Sequence, residues 1–427
     1  MFSVLKARDY RLLFAGQAVS HIGDQFHIIA LPWLVLSLTQ DPMQLGLVLA
    51  VAGIPRAALM LMGGAWADRC SPRTIMLVSD LLRLGVTALL ATAILTGTVQ
   101  VWMVYALALV FGVVSGFFMP AAQSAVPRLL DDGQLESGNA LIMGVNQLGS
   151  FVGPAAAGLL IAAFGANSLG GEEAASLVGI GSAFVLDAAS FLVSAILLAF
   201  MGRIPAANAH SEARPIADIV EGLRYASRNE NIRWMVLTIA AANFLVAGPM
   251  FVGLPVLAQS QLTGGAAGLG VVLSAYGLGS LLGMIGAGAA PRPSADVFSR
   301  LIVALMVGFA ATMGSLAFVT ATWLAAVLML VTGVGNGYIG ITLMTSVQRS
   351  TDQRFLGRVM SLIMLAVVGL MPLSQALAGF VMGASPTALF VGAGAGFACL
   401  AVVTSCKRSV WAMQESPLSY VGGGVQG

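Results

Sequence analysis

The stretch Gly64-Ala65-Trp66-Ala67-Asp68-Arg69-Cys70-Ser71-Pro72-Arg73-Thr74 sets one acid and two bases between two long apolar runs. Charges are expensive in lipid, so this elbow belongs at the water boundary, and the runs of about 45 to 67 and about 75 to 95 cross a bilayer. Outward from the elbow the pattern repeats. Apolar segments fall at about 12 to 38, 45 to 67, 74 to 97, 101 to 125, 137 to 165, 176 to 201, 233 to 261, 267 to 290, 298 to 320, 323 to 347, 356 to 383 and 386 to 405. Each approaches the roughly 20 residues that span the hydrocarbon core, which predicts twelve transmembrane helices.

Composition agrees. Of the 427 residues 58% are hydrophobic and 9% charged, against about a quarter charged in soluble domains. A net charge of +2 leaves no surplus for nucleic acid. Cys70, Cys399 and Cys406 have neither disulfide nor ligand spacing, so no metal or cofactor is expected. With no phosphate-binding loop and no nucleophile beside a base, enzymatic and ATP-driven readings are disfavoured. Lys6, Arg8 and Arg11 precede the first apolar run, which has no small-residue cleavage site and reads as a retained helix.

The polar stretch 204–231 separates residues 1–203, a six-helix bundle, from 232–408, a second one; 409–427 is Gly-rich and expected to be disordered. Within the linker Ile216, Ile219, Val220 and Leu223 recur at helical spacing beside Asp218, Glu221 and Arg224, predicting an amphipathic surface helix. Of the 20 basic residues, all but Arg56 and Arg83 fall at the termini or on even-to-odd connections. The positive-inside rule therefore places both termini and the linker in the cytoplasm. A shift of about 221 residues sets Leu141-Ile142-Met143 on Leu362-Ile363-Met364 and Gly158 on Gly379, the mark of a duplicated unit.

Gly64, Ala67, Asp68, Arg69 and Arg73 resemble the signature between helices two and three of major facilitator superfamily transporters, from which Trp66, Ser71 and Pro72 depart. Gly149, Gly153, Pro154 and Gly158 resemble that family's antiporter motif, with alanine at two glycine positions, Ala140 and Ala157. Arg11, Leu13, Ser20, Gly23, Asp24 and the run Ala30 to Thr39 resemble the branch of macrolide efflux proteins and the enterobactin exporter. The resemblance implies an all-α membrane protein of two pseudo-symmetric bundles in a bacterial inner membrane. It also implies a monomer that exports hydrophobic or amphipathic molecules by proton antiport.

Asp24 lies mid-way along the first helix with His21 and His27 three residues to either side, roughly on one face, and Arg56 lies at similar depth on the second. An unpaired charge there costs on the order of 3 kcal/mol, which an Asp24–Arg56 ion pair would relieve. The functional reading makes Asp24 the proton-coupled acid, Arg56 its partner and His27 a relay; the alternative is a static salt bridge. Asp80 and Arg83, at i and i+3, read as a structural pair, and Asp187 as bonded to an adjoining helix. By family resemblance Asp68 latches onto the helix start near Arg358, and Arg73 onto Asp131 or Asp132, when the cytoplasmic side is shut. The resemblance also makes helices one, four, seven and ten line the cavity, naming Gln25, Phe26, Gln123, Asn243, Phe244, Asn336 and Tyr338, with Asn146 on helix five. Two alternatives stay open: a lysophospholipid or other lipid transporter of the same fold, and a non-transporting receptor or scaffold.

Overall fold

The computed structural model describes residues 2–69, 71–166, 172–204, 215–289, 294–351 and 353–406. Its first half runs α1 (Arg8–Thr39), α2 (Pro42–Arg69), α3 (Pro72–Leu95), α4 (Val101–Leu129), α5 (Leu135–Ala166) and α6 (Glu172–Phe200). A linker helix, α7 (Pro215–Arg228), follows. The second half runs α8 (Glu230–Gly248), α9 (Leu254–Ser260), α10 (Gly265–Ala289), α11 (Ala295–Leu316), α12 (Thr322–Ser350), α13 (Gln353–Met364), α14 (Met371–Ala384) and α15 (Pro386–Cys406). Among the described residues twelve spans are long and apolar enough to cross a membrane.

Local chemistry places the ends. Gln40 adopts a left-handed φ of 53° and returns its N–H to Leu36, while Asp41 Oδ1 accepts the Met43 N–H at 2.9 Å. This two-residue turn folds α2 back along α1. Pro72 occupies the first turn of α3, where a missing N–H is harmless. The C-terminal carbonyls of α6 are met by bases: Arg73 donates to Leu198 and Ala199, and Arg8 to Phe200.

Two spans are not continuous. Between α8 and α9 lies a π-helical turn, Pro249–Gly253, and between α13 and α14 another, Leu365–Gly369. Proline explains both. Pro249 and Pro372 lack the N–H that would bond Leu245 and Val368, and the helix widens locally to absorb the loss. Hydropathy is blind to backbone hydrogen bonding, so the apolar segments alone carry no sign of these turns.

Each half packs as a bundle, α1 against α5 and α6 and α2 against α4 in the first, α10 against α12 and α11 against α15 in the second. The halves meet along α2 with α14 and α5 with α10. Glycine permits that approach: a Cβ on Gly46 would stand 2.6 Å from the Gln375 carbonyl, and one on Gly158 2.4 Å from that of Ala266. Trp102 and Trp323, 221 positions apart, begin α4 and α12 and are both exposed, as interfacial aromatics of a repeated unit should be. The linker helix packs on α13, with Arg358 bonded to Glu221 at 2.6 Å and Tyr225 stacked on Phe355 at 4.3 Å. The predicted tail, 409–427, lies outside the described residues.

Candidate functional site

A cavity of about 220 Å³ opens where the halves face each other. From the first half α1 contributes His27, Ile28, Leu31 and Pro32, α2 contributes Leu49, Ala52, Gly53 and Arg56, and α4 contributes Phe111 and Gly112. From the second half come Phe251 and Val368, each in a π-helical turn, and Met371, Pro372 and Gln375 at the start of α14. The widened backbone thus sits at the cavity, on both of the interrupted spans. His27, Arg56 and Gln375 are the polar groups in this wall.

His27 is held on three sides. Its ring stacks on Phe111, centroids 4.5 Å apart, and meets the edge of Phe184 at 5.5 Å. Its Nδ1 donates to Asp187 Oδ2 at 3.2 Å. Asp187 is fully buried on α6, and its other oxygen, Oδ1, has no hydrogen-bond partner among the described residues. Gly23 makes this contact reachable, since a Cβ there would stand 1.9 Å from Ser190 Oγ and 3.1 Å from Asp187 Oδ1. As expected, Asp187 bonds to an adjoining helix, but the helix is α1 and the partner lines the cavity.

About two turns along α6 from Asp187, the Ser194 hydroxyl donates at 2.6 Å to Asp80 of α3, which also bonds Arg83 on its own helix. Phe118 and Phe191 cover the Arg83 guanidinium at 4.1 and 4.6 Å. Both charges are buried, so this is the structural pair the spacing predicts.

The expected Asp24–Arg56 ion pair does not form. Asp24, partly buried, acts electrostatically on Arg56, Asp80 and Asp187, yet among the described residues no carboxylate stands within 4 Å of Arg56. Arg56 is exposed instead to the cavity. Nor do His21, Asp24 and His27 share a face. Six residues leave the helix about 120° short of two full turns, so His21 bonds the Asn146 carbonyl on α5 at 2.9 Å while His27 turns to α4 and α6.

None of the eight cavity residues expected from the sequence lines this cavity. Gln25 is buried against Gly153, and Phe26 sits in a separate apolar crevice between α1 and α6. Asn146 offers its carbonyl to His21, Asn243 bonds Ile239 on its own helix, and the Phe244 carbonyl accepts Ser374 Oγ. Gln123 and Asn336 are exposed and Tyr338 is partly buried. The choice by helix number neglected rotation about each helix and the share of α2 and α14 in the wall. Gln375 was missed, although it and Ser374 are the only hydrogen-bonding side chains between Met371 and Ala384.

The glycine motif of α5 is a packing surface with two sides. Gly149 and Gly153 admit His21 and Gln25 of α1, while Gly158 and the Pro154 carbonyl meet Ala266 and Gly270 of α10. Of the elbow residues, the side chains of Gly64, Asp68 and Arg69 lie outside the described residues. Arg73 spends its donors on α6, Asp131 is exposed, and Arg358 is engaged by the linker helix through Glu221.

The sequence profile of the Major Facilitator Superfamily matches residues 13–373. The chain is 28% identical over 380 residues to the multidrug efflux pump Tap of Mycolicibacterium fortuitum, a match covering 86% of this chain and 87% of that one. It is 27% identical over 408 residues to the MFS-type transporter y4rN of Sinorhizobium fredii, covering 92% and 93%. A match to the MFS-type transporter YfiS of Bacillus subtilis is shorter, 26% over 239 residues, and spans about half of each chain, 55% and 53%. Among solved structures, a bacterial homologue of the iron transporter ferroportin in its inward-facing state superposes with a TM-score of 0.72 at 15% identity, over 96% of this chain and all of that one. A peptide transporter POT in complex with sulfate reaches 0.71 at 14% identity, over 95% of each chain. At these identities the likeness is one of fold.

Proposed function

The chain belongs to the Major Facilitator Superfamily, and from that premise we propose that it exports hydrophobic or amphipathic small molecules, of drug, macrolide or siderophore type, in exchange for protons. The observation that carries this reading is a largely apolar cavity between the two halves with His27 in its wall and a buried carboxylate, Asp187, bonded behind it. A group that changes protonation is otherwise a poor choice for the middle of a membrane, and such groups mark proton pathways. The efflux pump Tap, alike over most of both chains, supports the direction of transport.

Asp24, Arg56 and His27 carry the coupling in this proposal, with Asp187 the acid on which the His27 relay ends. In this reading Asp24 is the acid that alternating access exposes first to one side of the membrane and then to the other. On the same reading the termini and α7 face the cytoplasm of a bacterial inner membrane, which the distribution of basic residues supports. Close packing of Gly46 against Gly379 and of Gly158 against Ala266 then seals the outer side. In the opposite state Asp68 docks at the start of α13.

Purified protein in liposomes with an imposed pH gradient tests this, using a panel of dyes, a macrolide and a catecholate siderophore. Gradient-driven accumulation that disappears in Asp24→Asn is the expected result. Transport indifferent to the gradient would instead favour a facilitator or a lipid transporter, for which the apolar crevice of α1 and α6 offers a lateral route.

A further inference from the structure

Arg56 is the arginine in the cavity wall, and among the described residues no carboxylate lies within 4 Å of it. Arg83 is paired with Asp80, and Asp187 is hydrogen-bonded to His27. Asp24 and Arg56 remain, and they do not touch. Arg56 is exposed on α2, in a wall that holds no carboxylate among the described residues and is otherwise Ile28, Leu31, Leu49, Phe111, Phe251 and Met371 with their neighbours.

That guanidinium is exposed, so its donors are open to solvent. A ligand with an apolar body displaces solvent, and a neutral or cationic ligand leaves the arginine desolvated with no counter-charge in contact, Asp24 acting on it only from beyond ion-pair distance. An anion restores the lost bonds with charge-assisted ones, and a planar carboxylate or similar oxyanion fits the guanidinium fork. The amide of Gln375, on the opposite half, supplies a further donor. His27 adds no negative charge in either of its protonation states. Everything polar in the wall therefore favours a negative head, and everything else favours an aromatic or aliphatic body.

We propose that the cavity binds amphipathic organic anions, with the anionic group on Arg56 and the apolar body between Phe111 on the first half and Phe251 and Met371 on the second. This rests on the exporter reading for its direction but not for its binding chemistry. It narrows the cargo from hydrophobic molecules in general to those bearing a carboxylate, sulfonate or acidic phenol. Because the anion would touch Arg56 of one half while its body touches the other, the ligand bridges the two halves.

Isothermal titration calorimetry on the full chain in nanodiscs, with empty nanodiscs subtracted, tests the idea with naphthylacetate, naphthylacetamide and naphthylmethyl-trimethylammonium. These share one body and differ in charge. The expected order is acid, then amide, then cation, with the acid bound roughly tenfold more tightly than the amide. Arg56→Gln should bring acid and amide together, with the amide still bound as evidence of a folded cavity, and Arg56→Lys should keep part of the difference. A cation bound as well as the acid, an unchanged acid-to-amide ratio in Arg56→Gln, or no binding of the acid would overturn the proposal. If the charge order holds while liposome transport ignores the pH gradient, proton exchange fails and the anion site stands.

Discussion

His27 Nδ1 and Asp187 Oδ2 lie 3.2 Å apart across 160 positions of sequence, tying α1 to α6 directly behind the cavity. The ring of His27 is at the cavity and the carboxylate is sealed from it. A proton entering by the cavity therefore meets the imidazole first and the acid second.

Asp187→Asn should lower proton-driven transport by about tenfold or more while substrate exchange without a gradient continues, because an amide preserves the shape but carries no exchangeable charge. Comparing gradient-driven uptake with counterflow in liposomes separates the two. Equal loss of both would assign Asp187 to packing alone.

His27→Phe keeps the stack on Phe111 but strands a buried carboxylate, whereas His27→Phe with Asp187→Leu removes both polar groups. The single variant should be destabilised by about 3 kcal/mol or more, and the double variant by less. Thermal unfolding in detergent reads this directly.

Arg83→Met leaves Asp80 buried with only Ser194 as a partner, and a loss of about 3–5 kcal/mol is expected. Asp80→Asn with Arg83→Met should recover much of it. A double-mutant cycle on unfolding midpoints measures the coupling, and additive losses would argue against a buried pair.

Gly46→Leu should abolish transport while leaving a folded protein, since the side chain would have to occupy the place of the Gln375 carbonyl and the Gly379 backbone. The halves would then be held apart at the end where α2 meets α14. Labelling of a cysteine placed at Leu49, in the cavity wall on α2, should rise in this background.

Glu221→Gln should change stability by less than about 1 kcal/mol, because the Glu221–Arg358 pair is partly exposed and Tyr225 still stacks on Phe355. Turnover is the more sensitive reading if α7 restrains α13. Unfolding midpoint and initial transport rate, measured on one preparation, distinguish the effects.

The sequence by itself determined the twelve spans, the duplicated halves, the linker helix and the i, i+3 pair of Asp80 and Arg83. Hydropathy, charge cost and short-range helical spacing are properties of residues and their near neighbours, so a linear reading captures them. Only the tertiary structure decided that His27 pairs with Asp187, that Arg56 faces a cavity without an acid, and that α2 and α14 help to line it. Those outcomes depend on rotation about each helix axis, which advances about 100° per residue and is reset by packing and by the turns at Pro249 and Pro372. A change of one residue in phase carries a side chain from cavity to lipid while leaving hydropathy the same, and that is why the predicted lining residues lay elsewhere.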